Sequence, residues 1–222
     1  MKIAFIYMAS GFGSRFGSNK LLAWFGDREL YRCGLECLIR ASETLRSEDG
    51  YDTEVVVVSQ YNEILDQASL WGLKAVHNKY SAEGITASLR LGTEAAGEET
   101  DLYLFSVADQ PYMEASTLAG FLRGFIGSGR GIGCLCHNGR RGNPAVFNSS
   151  YRSELLSLTG DRGGSVIMKS HPEDVWTMEA PEGELKDIDR AEDLAGGRPE
   201  PSDPNRQAQT VRPKPSGPNR QT

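Results

Sequence analysis

The chain has 222 residues, of which 39% are hydrophobic and 24% charged, and its formal net charge is −6. This composition is that of a globular protein with one well-buried core, and the acidic balance argues against a general nucleic-acid surface. Apolar runs stay shorter than the roughly 20 residues of a membrane-spanning helix, and four cysteines are too few for a disulfide framework, so we expect no membrane association and buried free thiols.

The elements, taken in chain order, alternate between strands and helices. Lys2 to Met8 is a nearly continuous apolar run, typical of a buried strand, and helical spacing follows from about Leu30 to Leu45. The four valines within Glu54 to Ser59 predict a second buried strand. The other expected elements are helices near 62–70, 85–96 and 114–125, and strands near 73–77, 101–107, 132–136 and 145–147, the last two joined by a polar turn at 137–143. This alternation predicts an α/β fold with a doubly wound, mostly parallel sheet and helices on both faces, which binds ligands at the carboxyl ends of its strands.

The composition changes after residue 196. Six of the ten prolines lie in residues 197–222, where five basic side chains outnumber two acidic ones and Val211 is the one large apolar side chain. Such a segment cannot bury enough apolar surface to fold alone. We therefore expect a folded domain at 1–196 and a disordered tail at 197–222.

The strongest chemical signal is a glycine-rich loop after the first strand, at residues 9–20. Glycines such as Gly11 and Gly13 let backbone amides approach phosphate oxygens, and Arg15 and Lys20 add the positive charge that a triphosphate needs. The spacing excludes a Walker A loop, which needs Lys-Ser/Thr after its last glycine, and the dinucleotide-binding fingerprint, whose third glycine is here a phenylalanine. The pattern indicates a phosphate-binding loop of another kind, the alternative being a surface turn with two solvated cations.

Candidate metal-binding carboxylates occur at two later places in the chain. Asp109 comes just past the predicted strand 101–107, so it should lie at the ligand-binding edge of the sheet. A magnesium site for a triphosphate uses one or two carboxylates plus substrate oxygens. Asp187 and Asp189 should share one side of an extended segment. Asp109 also fits a simple turn, and Asp189 with Glu192 also fits a helix capping box.

Two polar, glycine-containing stretches, at 77–90 and 140–144, could contact a base or an acceptor, or serve as ordinary loops and caps. Histidines, serines and cysteines are not spaced as in a Ser-His-Asp or Cys-His arrangement, so hydrolysis has no motif behind it.

In combination, these motifs resemble a known family. In chain order they are Gly11 to Leu22, Gly84 to Gly92, Asp109 to Pro111, Gly142 to Pro144, Gly160-Asp161 and Asp187 to Leu194. The set is similar to that of the MobA-like nucleotidyltransferases, and most closely to that of the molybdenum cofactor cytidylyltransferases, over roughly residues 1–195.

The resemblance implies a cytoplasmic transferase that moves CMP from CTP to the phosphate of molybdopterin, releases pyrophosphate, uses Mg²⁺ as its cofactor and serves a client molybdoenzyme. It implies catalytic roles for Arg15, Lys20 and Asp109, and metal binding by Asp109 and by Asp189 rather than Asp187. It implies nucleotide binding by Ala9, Ser10, Gly11, Gly13, Arg15, Lys20, Gly84 and Ser88, and acceptor binding by Gly142, Asn143, Pro144 and Asp161.

The sequence departs from the family pattern at three places, one of which is Arg190-Ala191 in the last motif, where Thr-Pro is usual. Ser10 stands where cytidylyl enzymes usually carry alanine and guanylyl enzymes glycine, so a preference for CTP over GTP rests on overall likeness. After Asp161 the usual Gly-Ala-Arg run is replaced by Arg162 and two glycines. GTP-dependent guanylyl transfer, a sugar- or alcohol-phosphate acceptor, and a non-catalytic molybdopterin carrier are the alternatives.

Overall fold

The computed structural model describes residues 1–11, 16 and 19–196. Predictions made for Gly13, Arg15 and the tail at 197–222 fall outside these residues. The strands are β1 (Lys2–Ala9), β2 (Trp24–Phe25), β3 (Arg28–Glu29), β4 (Asp52–Ser59), β5 (Lys74–His77), β6 (Leu102–Val107), β7 (Ile132–His137), β8 (Arg140–Asn148) and β9 (Val175–Glu179). The α-helices are α1 (Leu30–Asp49), α2 (Asn62–Leu70), α3 (Ile85–Ala96), α4 (Ala115–Ser128), α5 (Arg152–Ser157) and α6 (Ser165–Ser170), and 3-10 turns occupy Lys20–Leu22, Ser81–Glu83, Ser149–Tyr151, Pro172–Asp174 and Ala191–Gly196.

Seven strands form one sheet in the order β5-β4-β1-β6-β8-β7-β9. β1 pairs in parallel with β4 and β6, β4 with β5, and β7 with β9. β8 runs antiparallel to both of its neighbours, β6 and β7. The prediction of a mostly parallel α/β sheet is therefore confirmed. β1 is central and buried along nearly its whole length, which explains its continuous apolar sequence.

Side chains of β1 alternate between two cores, one on each face of the sheet. Phe5 and Tyr7 belong to the core under α1, α2 and α4, whereas Ile6 and Met8 belong to the core under α3, α5 and α6. This two-sided burial is the doubly wound arrangement that the alternating elements predicted. No helix within the described residues is both long enough and apolar enough to cross a membrane.

The hairpin between β7 and β8 corrects one prediction. The polar turn expected at 137–143 is much shorter, because Asn138 and Gly139 both adopt positive φ, +50° and +73°, and reverse the chain in two residues. Residues 140–143 continue as strand although they are exposed or half-buried, since here the hairpin reaches the margin of the sheet. The polar residues 140–143 were therefore wrongly predicted as part of the turn, and β8 begins at Arg140.

Candidate active site

The predicted site residues converge at the carboxyl ends of β1 and β6. The two strands are in parallel register, with Met8 opposite Val107, so the loops after them leave the same edge of the sheet. A cavity of about 280 Å³ lies there. Its lining includes Ser10, Gly11, Lys20, Gly84, Ser88, Asp109 and Asp161 from the predicted set.

Lys20 is the central cation of this cavity. It opens a 3-10 turn that is capped by the Asn19 side chain, which accepts a hydrogen bond from the Leu21 amide. The buried ammonium donates to Asp109 Oδ2 at 2.8 Å and to the Ile188 carbonyl at 3.0 Å. Lys20 Nζ also lies 3.8 Å from Asp189 Oδ1, so one cation joins the two predicted metal ligands.

The late segment is held against the β6–α4 loop by several further hydrogen bonds. The Ile188 amide donates to the Asp109 carbonyl at 2.9 Å, and Gln110 Nε2 donates to Asp187 Oδ1 at 2.9 Å. Burial, and next the negative charge of Asp109, raise the pKa of Asp187. Asp187 is therefore engaged with Gln110, whereas Asp189 is exposed on the side of Lys20.

The capping box considered for Asp189 does not form as the sequence suggested. Instead, Asp193 Oδ2 accepts hydrogen bonds from the amides of Asp189 and Arg190, at 3.2 and 2.9 Å. The Asp189 carboxylate is thus left facing the site rather than committed to a helix end.

The carboxylates present suit a hard divalent cation. Asp109, Asp187 and Asp189 supply oxygen donors of the kind that Mg²⁺ and Mn²⁺ prefer, and Lys20 balances one of their three charges. Within the described residues, no group of three or more His, Cys, Asp or Glu side chains is preformed as a metal cage. Asp109 and Asp189 could therefore hold an ion together with phosphate oxygens, as is usual for Mg²⁺ on nucleotides.

Asp161 has a local partner that the sequence did not reveal. Its Oδ1 accepts a hydrogen bond from the Ile85 amide at 2.9 Å and so caps the N-terminus of α3. Gly84, which precedes that amide, has φ +87°, and a Cβ at this position would lie 2.0 Å from Asp161 Oδ1. The glycine thus provides both the backbone conformation and the space that the carboxylate needs.

Replacing Gly84 with alanine should raise the KM for nucleotide by about 10-fold or more, because the Asp161 carboxylate and the first turn of α3 must move apart. Gly97, at the other end of the same helix, has φ +85° with no atom within 4 Å of its Cβ position. Gly97→Ala is therefore the matched control, since it carries the backbone strain without the clash. Steady-state kinetics on both variants would contradict the prediction if the two KM values rose equally.

Ser88 and the first residues of the glycine-rich loop are hydrogen-bonded to residues at or just after the ends of β4 and β5. Ser88 Oγ accepts from Asn78 Nδ2 at 3.0 Å, and both side chains are buried. Ser10 Oγ donates to the Val58 carbonyl, and the Ala9 carbonyl accepts from Ser59 Oγ at 2.8 Å. The hydroxyl of Ser10, which distinguishes this loop from the family pattern, therefore fixes β1 to β4.

Sequence reasoning missed two residues that directly follow β4. Gln60 Nε2 donates to the Ser10 carbonyl at 2.7 Å, and Gln60 Oε1 accepts from Ser81 Oγ at 3.0 Å. The Tyr61 hydroxyl donates to the Gly11 carbonyl at 2.8 Å. Their position directly after a buried strand was the available signal, because the end of β4 shares an edge with the end of β1.

The predicted acceptor loop lies beside a second, smaller cavity. Gly142 and Asn143 line this space of about 180 Å³, and the buried Pro144 follows them in β8. Met8 and Ile85 line both cavities. The structure therefore brings the predicted nucleotide and acceptor segments next to one another, with Asp161 on the nucleotide side.

The four cysteines are free thiols, as expected, although Cys33 is only half-buried. Burial raises the pKa of Cys33 and of Cys134 to about 11 and that of Cys37 to about 12. These thiols stay protonated near neutral pH, which makes them poor nucleophiles.

Comparison with known proteins agrees with this geometry. Residues 5–175 match the family model of the MobA-like NTP transferase domain. This match covers more than half of the chain, which therefore belongs to the MobA-like NTP transferase family of nucleotidyltransferases. No curated protein matches the sequence significantly.

Solved structures share the fold at low sequence identity. Rv0371c from Mycobacterium tuberculosis H37Rv superposes with a TM-score of 0.71 at 20% identity, covering 88% of this chain and 97% of that one, and it has also been solved as a manganese complex. A CMP:2-keto-3-deoxy-manno-octonic acid synthetase complexed with CTP gives a TM-score of 0.67 at 15% identity, with coverage of 88% and 96%. Molybdopterin-guanine dinucleotide biosynthesis protein A from Archaeoglobus fulgidus gives 0.61 at 15% identity, with coverage of 89% and 96%.

Proposed function

We propose that this member of the MobA-like family is a molybdenum cofactor cytidylyltransferase, which transfers CMP from CTP to the phosphate of molybdopterin with release of pyrophosphate. The observation that carries the proposal is Lys20, whose ammonium joins Asp109 to the segment bearing Asp189 beside the start of the glycine-rich loop. A triphosphate with a divalent ion needs this pairing of one fixed cation with hard carboxylate oxygens.

The reaction is a displacement at phosphorus. An oxygen of the acceptor phosphate attacks the α-phosphorus of the nucleotide, and the bond from that phosphorus to the bridging oxygen breaks, so that pyrophosphate leaves with the electron pair. The acceptor phosphate is already an anion near neutral pH and needs no general base. The protein therefore acts by positioning the reactants and neutralising charge.

The residues of the candidate site have separate tasks in this scheme. Lys20 donates hydrogen bonds to phosphate oxygens and offsets their charge, with Arg15 proposed to assist from outside the described residues. Asp109 and Asp189 would hold Mg²⁺, which supplies further charge neutralisation when bound. The manganese complex of a structural neighbour supports a divalent ion here.

The nucleotide would lie in the larger cavity, against the start of α3. Gly84 and Ser88 line that cavity, as does Ser81, whose hydroxyl donates a hydrogen bond to Gln60 Oε1. CTP as the substrate is supported by the resemblance of the motifs and by a neighbour of the same fold that was solved with CTP. We further propose that the protein works in the cytoplasm and supplies a molybdoenzyme.

The deciding experiment measures pyrophosphate release from CTP, GTP and ATP in the presence of molybdopterin, with Mg²⁺ and separately with Mn²⁺. We expect release with CTP and far slower release with GTP or ATP. Release with GTP alone would reassign the protein to guanylyl transfer. Binding of molybdopterin without release from any nucleotide would contradict a catalytic role and favour a carrier.

The tail at residues 197–222 should be dispensable for this reaction. We expect its deletion to leave kcat and KM within about twofold, because its proline-rich, polar composition offers little apolar surface for packing. The test compares kcat and KM for a chain that ends at residue 196 with those for the chain that ends at residue 222. A tenfold loss on deletion would show that the tail contributes to the site.

A further inference from the structure

Three consecutive residues at the end of β4 hydrogen-bond to three consecutive carbonyls at the end of β1. The donors are all side-chain groups, and the pairs are Ser59 Oγ with the Ala9 carbonyl at 2.8 Å, Gln60 Nε2 with the Ser10 carbonyl at 2.7 Å, and the Tyr61 hydroxyl with the Gly11 carbonyl at 2.8 Å. These pairs continue the parallel register of the two strands, in which Ala9 lies opposite Ser59. The tethering segment, residues 59–61, therefore holds the carbonyls of residues 9–11 one by one.

This arrangement fixes the direction of the Gly11 amide. A peptide unit is planar and trans, so its N–H points away from its C=O. The Gly11 N–H shares a peptide unit with the Ser10 carbonyl, and Gln60 binds that carbonyl, so the N–H points away from Gln60. Gly11 lines the larger cavity, and its amide donates to no acceptor among residues 1–11, 16 and 19–196. An amide placed in this way is a donor for an anion in the cavity.

The Gly11 carbonyl does not need Tyr61 to satisfy its hydrogen-bonding capacity. Gly11 is exposed, and water would bind its carbonyl as readily as the Tyr61 hydroxyl does. A side chain adds a fixed direction, because Tyr61 packs against the core under α1 and restrains a glycine that would otherwise sample many conformations. Burial raises the pKa of Tyr61, so its hydroxyl stays protonated and remains a donor at neutral pH.

Gln60 also connects the glycine-rich loop to the segment before α3. Its Oε1 accepts a hydrogen bond from Ser81 Oγ at 3.0 Å, and Ser81 lines the larger cavity. One buried-side amide group therefore holds two parts of the proposed nucleotide site relative to one another. The tethering segment itself lines neither cavity, so it acts on a ligand only through the residues that it holds.

We propose that Ser59, Gln60 and Tyr61 are positioning residues for the triphosphate, because they hold the start of the glycine-rich loop so that the Gly11 amide donates to a phosphate oxygen. Lys20 supplies charge to the same phosphates, whereas the tethering segment supplies direction. This inference rests on the proposed nucleotidyl transfer for the kind of ligand, and it assigns a role to a segment outside the glycine-rich loop.

The first test measures binding of inorganic tripolyphosphate, in the presence of Mg²⁺, by titration calorimetry. The variants are Tyr61→Phe, which removes one hydroxyl, and Gln60→Met, which keeps the length of the side chain without its polar atoms. Tyr51→Phe and Gln67→Met are the matched controls. Tyr51 directly precedes β4 and Gln67 lies on α2, and both are half-buried residues that line neither cavity.

We expect Tyr61→Phe and Gln60→Met each to weaken tripolyphosphate binding by about 5-fold or more, because each leaves the Gly11 backbone free to rotate. The two controls should change it by less than about twofold. Affinity for Mn²⁺ in the absence of phosphate should also change by less than about twofold in all four variants, since Asp109 and Asp189 keep their contacts with Lys20.

Two results would overturn the proposal. One is unchanged tripolyphosphate binding in both Tyr61→Phe and Gln60→Met. The other is a joint loss of tripolyphosphate and Mn²⁺ affinity with a lower melting temperature, which would show that the tethering segment only stabilises the fold.

A second measurement observes the Gly11 amide directly. In protein labelled with ¹⁵N-glycine, the Gly11 resonance is the one that is absent from the Gly11→Ala variant. We expect this resonance to move downfield when tripolyphosphate is added, and to move much less in Gln60→Met. A Gly11 resonance that tripolyphosphate does not move would overturn the proposal.

Ser81→Ala separates the two hydrogen bonds of Gln60, because it removes only the bond to the segment before α3. It should weaken tripolyphosphate binding less than Gln60→Met does, and an equal loss would overturn the role assigned to the Ser10 carbonyl. If the tethering variants behave as expected but no nucleotide yields pyrophosphate, the transfer is refuted and the positioning of the Gly11 amide stands.

Discussion

Replacing Asp109 with alanine should lower the rate of pyrophosphate release by about 1,000-fold while the protein remains folded. The carboxylate accepts a hydrogen bond from Lys20 and supplies one of the two proposed metal ligands. The Asp109 carbonyl, which accepts from the Ile188 amide, is unaffected by the substitution, so the late segment keeps its backbone connection. Steady-state kinetics measures the loss of pyrophosphate release, and thermal melting of the same preparation shows whether the variant is folded.

Two further variants make this result specific. Asp109→Asn keeps the shape of the side chain but not its charge, and we expect it to be nearly as inactive and to bind Mn²⁺ weakly by electron paramagnetic resonance. Asp66→Ala removes an exposed carboxylate from α2 and should leave both measurements unchanged. Normal turnover in Asp109→Asn would remove Asp109 from the proposed metal site.

Replacing Lys20 with methionine should reduce turnover by about 100-fold or more, because the triphosphate loses its one described fixed cation in the larger cavity. The same change should strengthen Mn²⁺ binding in the absence of nucleotide, since the ammonium no longer offsets the charges of Asp109 and Asp189. These opposite effects distinguish loss of phosphate binding from general damage to the site.

The matched control is Lys169→Met on α6, where the lost lysine is exposed and lines neither cavity. It should alter neither turnover nor Mn²⁺ affinity. A Lys20→Met protein that lost activity and also bound Mn²⁺ more weakly would show that Lys20 mainly maintains the structure of the carboxylate segment.

The order of the elements and the position of the site were predictable because both depend on simple regularities. Buried parallel strands leave continuous apolar runs, as in β1 and in the four valines of β4, and loops after such strands meet at one edge. Lys20 and Asp109 could therefore be placed together before their contacts were known, whereas Asp189 was assigned to the same site only through the resemblance to the family.

Side-chain partners were harder to predict, because hydrogen bonds between distant loops leave no periodic signal. The capping of α3 by Asp161 joins positions 76 residues apart, and the pairing of Gln60 with Ser81 involves common polar residues without a motif. The hairpin at Asn138 and Gly139 was mistaken for a longer turn, since an exposed strand margin is as polar as a loop.

The bond from Lys20 to the Ile188 carbonyl joins groups separated by 168 positions in the sequence. Closing such a long loop is slow compared with forming a helix or pairing neighbouring strands, so this contact should be among the last to form when the chain folds. A refolding experiment should accordingly recover its helical circular dichroism signal before its affinity for divalent metal. During synthesis, a nascent chain whose residue 189 is still inside the ribosome would already have the strands of the sheet outside it. It would lack the second proposed metal ligand, and we expect it to be inactive.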